Sequence, residues 1–342
     1  MNSVAPMISI IIPSFNRADL LGETLEAILR QDYANWEAII VDDGSTDRNE
    51  EIAKEFIRRD ERIRFIKRDK NPGGAPVCRN IGIQNAKGSF LIFLDSDDLL
   101  LPFTLSQRAK KIQEEPDFDF WVFPMLTFRN NPEDARFLWS IDTGEPDLLR
   151  FLKLDAPWQT TGPVWTKEAV SLIGGYTEGL ACWQDVDFHL KALISGLKGK
   201  KYYSLEPDVL YRQHDTQSIS QGEISSPEKL KSRQQIFFSH ARSLMSVMNA
   251  ETKNHLQILG GNIAIGAAKT LNTGICFSVI SFGLNNKIFS TSTALRLRMI
   301  AVFYLLRLNR VTIFGRQLDR LTNNFRQDSN IGKHLYIKDP KK

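Results

Sequence analysis

SFLIFLDSDDLLL, residues 89–101, places three carboxylates, Asp95, Asp97 and Asp98, at the end of an uninterrupted apolar run. Phe90 to Leu94 shows no alternation of apolar and polar residues, the pattern of a central parallel strand covered on both faces. The acids then emerge at the carboxyl edge of the sheet, where open α/β folds bind ligands. Hard oxygen donors at this spacing suit Mg²⁺ or Mn²⁺ holding a diphosphate, with phosphate oxygens and water completing the shell. The same residues would also serve as an acidic helix start capped by Ser96 or Asp98, although a cap needs only one acid.

On either side of this strand lie ISIII (Ile8 to Ile12), EAIIV (Glu37 to Val41), IRFI (Ile63 to Ile66) and DFWVF (Asp119 to Phe123). Between these runs, Asp19 to Arg30, Asn49 to Arg59, Ala75 to Ala86 and Thr104 to Glu114 are each long enough for a crossover helix. The alternation predicts βαβ repetition and a mostly parallel sheet. Beyond Pro124 the pattern is irregular, with short strands expected around Phe137 to Ile141, Pro163 to Thr166 and Val209 to Arg212. A helix is expected from Asp185 to Ile194, ahead of Gly196 and Gly199.

The chain has 342 residues, 42% hydrophobic and 25% charged, which fits a globular core domain with an extension. Cys78, Cys182 and Cys276 lie far apart without a CxxC pair, so neither a disulfide framework nor a zinc site is implied. A reducing compartment suits that usage, and a cytoplasmic location is the expectation. Met1 to Met7 lacks the basic start and apolar core of a signal peptide. No run approaches the roughly 18 apolar residues of a membrane span.

Two more strand ends carry polar clusters. The first strand leads into PSFNR (Pro13 to Arg17), and the second into DDGSTD (Asp42 to Asp47). Asp43 can accept the N3 hydrogen of a pyrimidine, with Phe15 offering an aromatic face. Alternatively, Asp42 and Thr46 close a turn in which Gly44 takes positive φ. NPGGA (Asn71 to Ala75), followed by Arg79 and Asn80, could bring backbone amides and a guanidinium to phosphate, but Gly-Gly before a helix is commonplace.

Taken in order, IIPSFNR, VDDGSTD, NPGGAPVCRNIGIQNAKG and FLDSDDLLLP resemble the nucleotide-binding half of inverting glycosyltransferases of family 2, which have the GT-A fold. The resemblance covers roughly residues 7–225. It implies an open, mostly parallel sheet flanked by helices, a nucleotide-sugar donor (a UDP-sugar favoured) and Mg²⁺ or Mn²⁺. The expected organisation is a catalytic domain over 1–225, with a nucleotide-binding half (1–124) and an acceptor half (125–225), then a basic helical extension over 226–342. By the resemblance, Pro13, Phe15, Asp42 and Asp43 hold the nucleoside, Arg79 lies near the donor, and Asp95 with Asp97 fills the DxD role. Asp98 remains a candidate ligand, and the sequence leaves open which carboxylates touch the metal.

ACWQDVD (Ala181 to Asp187) resembles the family's Glu-Asp motif, with Gln184 in place of the usual Glu. Asp185 is then the candidate base that takes the acceptor hydroxyl's proton. Asp187 is the alternative base or, with Trp183, an acceptor contact; both acids could instead simply complement the helix dipole. YRQHDTQSIS (Tyr211 to Ser220) resembles the segment that folds over the diphosphate, so His214 would complete the metal shell and Arg212 or Ser218 would meet phosphate. Trp158, Trp165 and Trp183 either stack on sugar rings or pack the core. A nucleotidyltransferase should carry a glycine-rich basic loop after its first strand, and PSFNR has no glycine. A non-catalytic nucleotide-sugar binder would tolerate loss of Asp97 or Asp185, and both are present.

The net charge of +4 is uneven: residues 251–342 hold 14 Lys and Arg against 4 Asp and Glu, or +10, leaving −6 for residues 1–250. Thr293 to Arg310 predicts a helix on which Arg296, Arg307 and Arg310 fall within about 60° of one another while Arg298 points elsewhere. Its apolar centre is too short to span, so an interfacial helix at an anionic membrane surface or a helix packed on the core is expected. Acceptors in the resembling family are often lipid-linked or surface glycans. The basic residues are not interleaved with an RNA-binding motif, so no nucleic-acid partner is expected.

Overall fold

The computed structural model describes residues 5–69, 73–139, 141–214, 226–308, 312–325 and 335–336. Its first half alternates as the apolar runs predict: β1 (Ile8–Ser14), α1 (Ala18–Leu29), β2 (Trp36–Asp42), α2 (Asn49–Arg59), β3 (Ile63–Lys67), α3 (Ala75–Asn85) and β4 (Phe90–Phe93). These strands are parallel in the order β4-β1-β2-β3. Every residue of β1 and β2 is buried, as an apolar run without alternation requires. α3 crosses β1 so closely that a Cβ at Gly82 would stand 2.3 Å from Ile11 Cγ2. Glycine there lets α3 lie low over the sheet and fixes the position of Arg79.

The chain continues through β5 (Leu99–Leu100), α4 (Thr104–Glu114), β6 (Phe120–Val122), β7 (Met125–Phe128), β8 (Phe137–Leu138), α5 (Asp147–Leu152), β9 (Pro163–Thr166), α6 (Lys167–Leu172), α7 (Gln184–Ile194), β10 (Gly199–Lys201) and β11 (Val209–Arg212). β9 inserts antiparallel between β4 and β6, and β10 runs parallel to β6, completing a seven-stranded sheet. A second sheet, unforeseen from the sequence, pairs β5 antiparallel with β11 and β11 parallel with β7. The strand expected over Phe137 to Ile141 is only Phe137–Leu138. The β5–β11 pairing positions the site, because it lays the residues after β11 against the acidic loop after β4. A buried bidentate pair secures it: Arg108 Nε and Nη2 each lie 2.9 Å from a carboxylate oxygen of Asp208. Removing one partner of such a pair typically costs about 3–5 kcal/mol.

Helices α8 (Pro227–Leu244), α9 (Ala250–Lys269), α10 (Thr273–Asn285), α11 (Thr291–Leu305) and α12 (Thr312–Thr322) follow, and β12 (Leu335–Tyr336) pairs with β8. The two faces of the sheet bury different sets of residues, as the pleat dictates. Ile8, Ile10 and Ile12 join α1, α2 and α4, while Ile11, Val41 and Phe93 join one core with α3, α5, α7 and the helices α8–α11. The helical extension therefore shares a hydrophobic core with the sheet. Trp158 and Trp165 lie inside that core, 1% and 0% exposed, among Phe120, Phe151, Phe188 and His189. The sugar-stacking role considered for them is thus corrected to core packing. α11 likewise packs Ala294, Leu297, Ile300 and Ala301 inward, and Arg310 lies outside the described residues.

Candidate active site

The ends of β1 and β2 form one bridged rim. The Asp43 amide donates to the Ser14 carbonyl at 2.8 Å. Asn16, at φ 50°, accepts from the Thr46 amide at 2.8 Å, and its own amide donates to Ser45 Oγ at 2.9 Å. Asparagine is among the few side chains that tolerate this left-handed backbone. Beneath the rim, Asp42 Oδ2 accepts from the Gly44 and Ser45 amides and Oδ1 from the Asn49 side chain, and Gly44 has φ 87°. Asp42 is thus the turn-closing residue, and Pro13 is a buried strand residue in register with Val41. Neither offers a free group to the nucleoside that the resemblance assigns to them. Phe15 is 53% exposed.

Asp43 is held in place by its neighbours. Its Oδ1 accepts from Arg68 Nε, and its Oδ2 accepts from the Gly74 amide at 2.8 Å. The Cys78 thiol lies 3.7 Å from Oδ1, and burial together with that carboxylate pushes the thiol up to about 12, keeping it a neutral donor. A carboxylate has about four lone-pair sites, so Asp43 retains capacity to accept an N–H from a base. Asn71 and Pro72 lie outside the described residues.

After β4 the three acids diverge. Asp95 Oδ1 accepts from Arg79 Nη2 at 2.6 Å, and its carboxylate is 36% exposed. Asp97 Oδ2 lies 2.8 Å from His214 Nε2 and 3.6 Å from Arg17 Nε. Asp98 turns inward, accepting from the Arg212 amide at 3.0 Å and from Thr161 Oγ1 at 3.2 Å. Burial, then the Asp97 and Asp95 charges, push its carboxyl well above the usual range. With 1% exposure and both carboxylate oxygens engaged inside the protein, Asp98 supports the loop, which corrects its assignment as a metal ligand. Arg212 is also corrected: its Nε donates to the Asp97 carbonyl at 2.9 Å and its Nη2 to Glu23 at 2.6 Å, with the guanidinium over the Phe128 ring. It braces the acidic loop rather than presenting its charge to phosphate. Among the described residues, no group of three or more His, Cys, Asp or Glu is arranged to hold a metal. Asp97 nevertheless supplies a carboxylate oxygen, the donor type suited to Mg²⁺ or Mn²⁺, in contact with the His214 imidazole nitrogen. Asp215 to Ser220, and so Ser218, lie outside the described residues.

Trp183, at φ 56°, precedes α7 as its N-cap. Asp185 is half-buried in the first turn, its Oδ1 accepting from the Val186 amide at 2.8 Å. Burial pushes its carboxyl up, against the pull of that amide and of Arg79. Gln184 Nε2 donates to the Leu180 carbonyl at 2.9 Å, a bond that the family's ionised Glu could not donate. Asp187 is 3% exposed and bonds His240 Nε2 of α8 at 2.8 Å. Burial pushes its carboxyl up, but the hydrogen bond and charge of His240 outweigh this and hold it below the usual range. Asp187 therefore ties α7 to α8 and is not the acceptor contact expected of it. One face of Trp183 is covered by the Arg233 guanidinium, 4.7 Å from the ring centroid.

Arg79 connects the two sides. It is 5% exposed, lies over the Tyr176 ring at 5.0 Å, keeps an unpartnered buried Nε, and interacts electrostatically with both Asp95 and Asp185. Sequence reasoning missed Arg17 and Arg68, although each closely follows a parallel strand at the edge where ligands bind. It also missed Tyr176 and His240, which carry no local signal. His189 is a neutral core ring, pushed down to about 3 by burial and Arg79.

Residues 9–164 match the family model described as Glycosyl transferase family 2. Over that stretch the chain is similar to family 2 glycosyltransferases. Glycosyltransferase GlyG of Streptococcus pneumoniae serotype 4 is 38% identical over 112 residues, 33% of this chain and 37% of the relative. The putative teichuronic acid biosynthesis glycosyltransferase TuaG of Bacillus subtilis is 34% identical over 135 residues, 39% of this chain and 53% of the relative. The matched stretch thus spans between about a third and a half of these relatives. The fold is also that of S. aureus TarS 1-349, solved in complex with UDP-GlcNAc (TM-score 0.60, 17% identity, 91% of this chain and 92% of that one). Mannosyltransferase PcManGT from Pyrobaculum calidifontis, solved with GDP-Man and Mn2+, is similar at TM-score 0.50 and 16% identity, covering 94% of this chain and 86% of that one. At such identities the likeness is one of fold: a GT-A-type sheet flanked by helices, with a helical extension.

Proposed function

We propose that the chain is an inverting glycosyltransferase that moves a sugar from a nucleoside-diphosphate sugar to a hydroxyl of a glycan or lipid-linked acceptor. The observation that carries this is the shared environment of Arg79, which hydrogen-bonds the donor-side acid Asp95 and interacts electrostatically with Asp185. Asp185, raised by burial, is suited to accept the acceptor hydroxyl's proton as that oxygen attacks the anomeric carbon. Attack opposite the departing diphosphate would turn an α-linked donor into a β-linked product. Exposed Phe15 can stack on the base, Asp43 can accept from its edge, and Arg17 and Arg79 can offset phosphate charge. Asp97 and His214, with Asp95 nearby, would hold Mg²⁺ or Mn²⁺, which when bound neutralises charge on the diphosphate.

UDP-GlcNAc in one similar fold and GDP-Man with Mn2+ in another support a donor of this class, with a UDP-sugar favoured by Asp43. The teichuronic acid relative supports a surface-polysaccharide product. The test is product analysis with a panel of UDP-, GDP- and dTDP-sugars. Release of nucleoside diphosphate with sugar transfer or hydrolysis is expected. Consumption of nucleoside triphosphate with sugar phosphate, or binding without turnover across the panel and available acceptors, would overturn the reading.

A further inference from the structure

While one side of α11 is packed, its other side is apolar and exposed. Leu295, Met299, Val302 and Leu306 are 58%, 44%, 44% and 64% exposed, at successive steps of four, three and four residues. That spacing forms one helical stripe reaching just past the end of α11. Exposed Arg298 flanks it on one side and half-buried Arg296 on the other, and exposed Arg307 follows just past its end. The surrounding sequence is equally one-sided: residues 252–318, 67 in all, contain eight Lys and Arg and no Asp or Glu. Among the described residues, no helix is long and apolar enough to cross a membrane.

We propose that this face of α11 docks on an anionic phospholipid surface, the ridge entering the boundary between headgroups and acyl chains while the arginines meet lipid phosphates. An apolar stripe between cationic flanks is the pattern of a helix lying in the interface plane. Charge complementarity selects lipid over a second copy of the chain, because a twofold contact would press the same arginine-flanked ridge against itself. The proposed face is centred on Leu295, Met299, Val302 and Leu306, Arg298 joins Arg296 and Arg307 beside it, and Arg310 lies outside the described residues. The proposal is independent of donor chemistry.

The test is sedimentation of the full chain with phosphatidylglycerol/phosphatidylcholine vesicles and with phosphatidylcholine vesicles alone. The wild type should pellet with the anionic vesicles only, less so as salt rises. A Leu295→Gln, Met299→Gln, Leu306→Gln variant should lose binding by about tenfold or more. Arg298→Gln and Arg307→Gln should each weaken it about fivefold, equivalent to about 1 kcal/mol per basic residue near the surface. All these side chains are exposed, so melting temperatures should match the wild type. The proposal fails if the wild type stays in the supernatant, if the ridge variant pellets equally, or if light scattering shows a dimer that the ridge variant dissociates.

Discussion

The loop after β4 and the first turn of α7 each bring acids toward Arg79, and each divides them alike. Asp97 and Asp185 stay half-buried, whereas Asp98 and Asp187 turn inward and are 1% and 3% exposed. The two buried carboxyls are then shifted in opposite directions. Asp98 accepts from an amide and a hydroxyl, and burial with like charges raises its carboxyl; Asp187 meets His240, and its carboxyl is lowered. Burial is common to both, so the partner decides the sign. An acidic motif therefore supplies fewer working charges than it has letters.

The largest expected effect separates the two acids of α7. Asp185→Asn should lower turnover by about 10² or more, the scale of a general base, with donor affinity unchanged. Asp187→Asn should lower turnover less. Steady-state rates with donor titrations check both, and the reverse order would move the base to Asp187.

A smaller effect concerns stability. Asp187→Asn removes the carboxylate that His240 Nε2 meets at 2.8 Å and should cost about 1–3 kcal/mol in denaturant unfolding, the usual range for disturbing a buried hydrogen bond. Combining it with His240→Gln should recover part of the loss, a coupling that a double-mutant cycle measures. Additive losses would mean the pair does not join α7 to α8.

The smallest effect is in pH dependence. The folded-state pKa of Asp187 lies below its unfolded value of about 3.9. Its contribution to stability is therefore complete above that value and lost as pH falls through the folded one. Melting curves of Asp187→Asn should have a shallower acid-side slope than the wild type, and equal slopes would remove the ion pair from the account.

The first sheet was legible because β1, β2 and β4 are apolar runs with helix-length gaps. The second was not: β5 has two residues, Leu99–Leu100, and exists through pairing with β11 more than a hundred positions away. Asp42 and Asp43 show the same limit within the site. They are adjacent at a strand end, so their side chains leave on opposite sides, and sequence does not say which faces the cleft. The proposal of Asp185 as base comes from the resemblance of its motif and not from spacing, and bulk alone could not separate core Trp158 and Trp165 from exposed sugar platforms.

The central claim, that Asp97 serves the diphosphate end while Asp98 only supports the loop, is tested most directly by calorimetric titration of UDP and GDP with and without Mn²⁺. Asp98→Asn can keep both neutral hydrogen bonds, its amide accepting from Arg212 and donating to Thr161. The account predicts that Mn²⁺ strengthens binding in the wild type and in Asp98→Asn but not in Asp97→Asn. Mn²⁺ dependence that survives in Asp97→Asn and disappears in Asp98→Asn would contradict it.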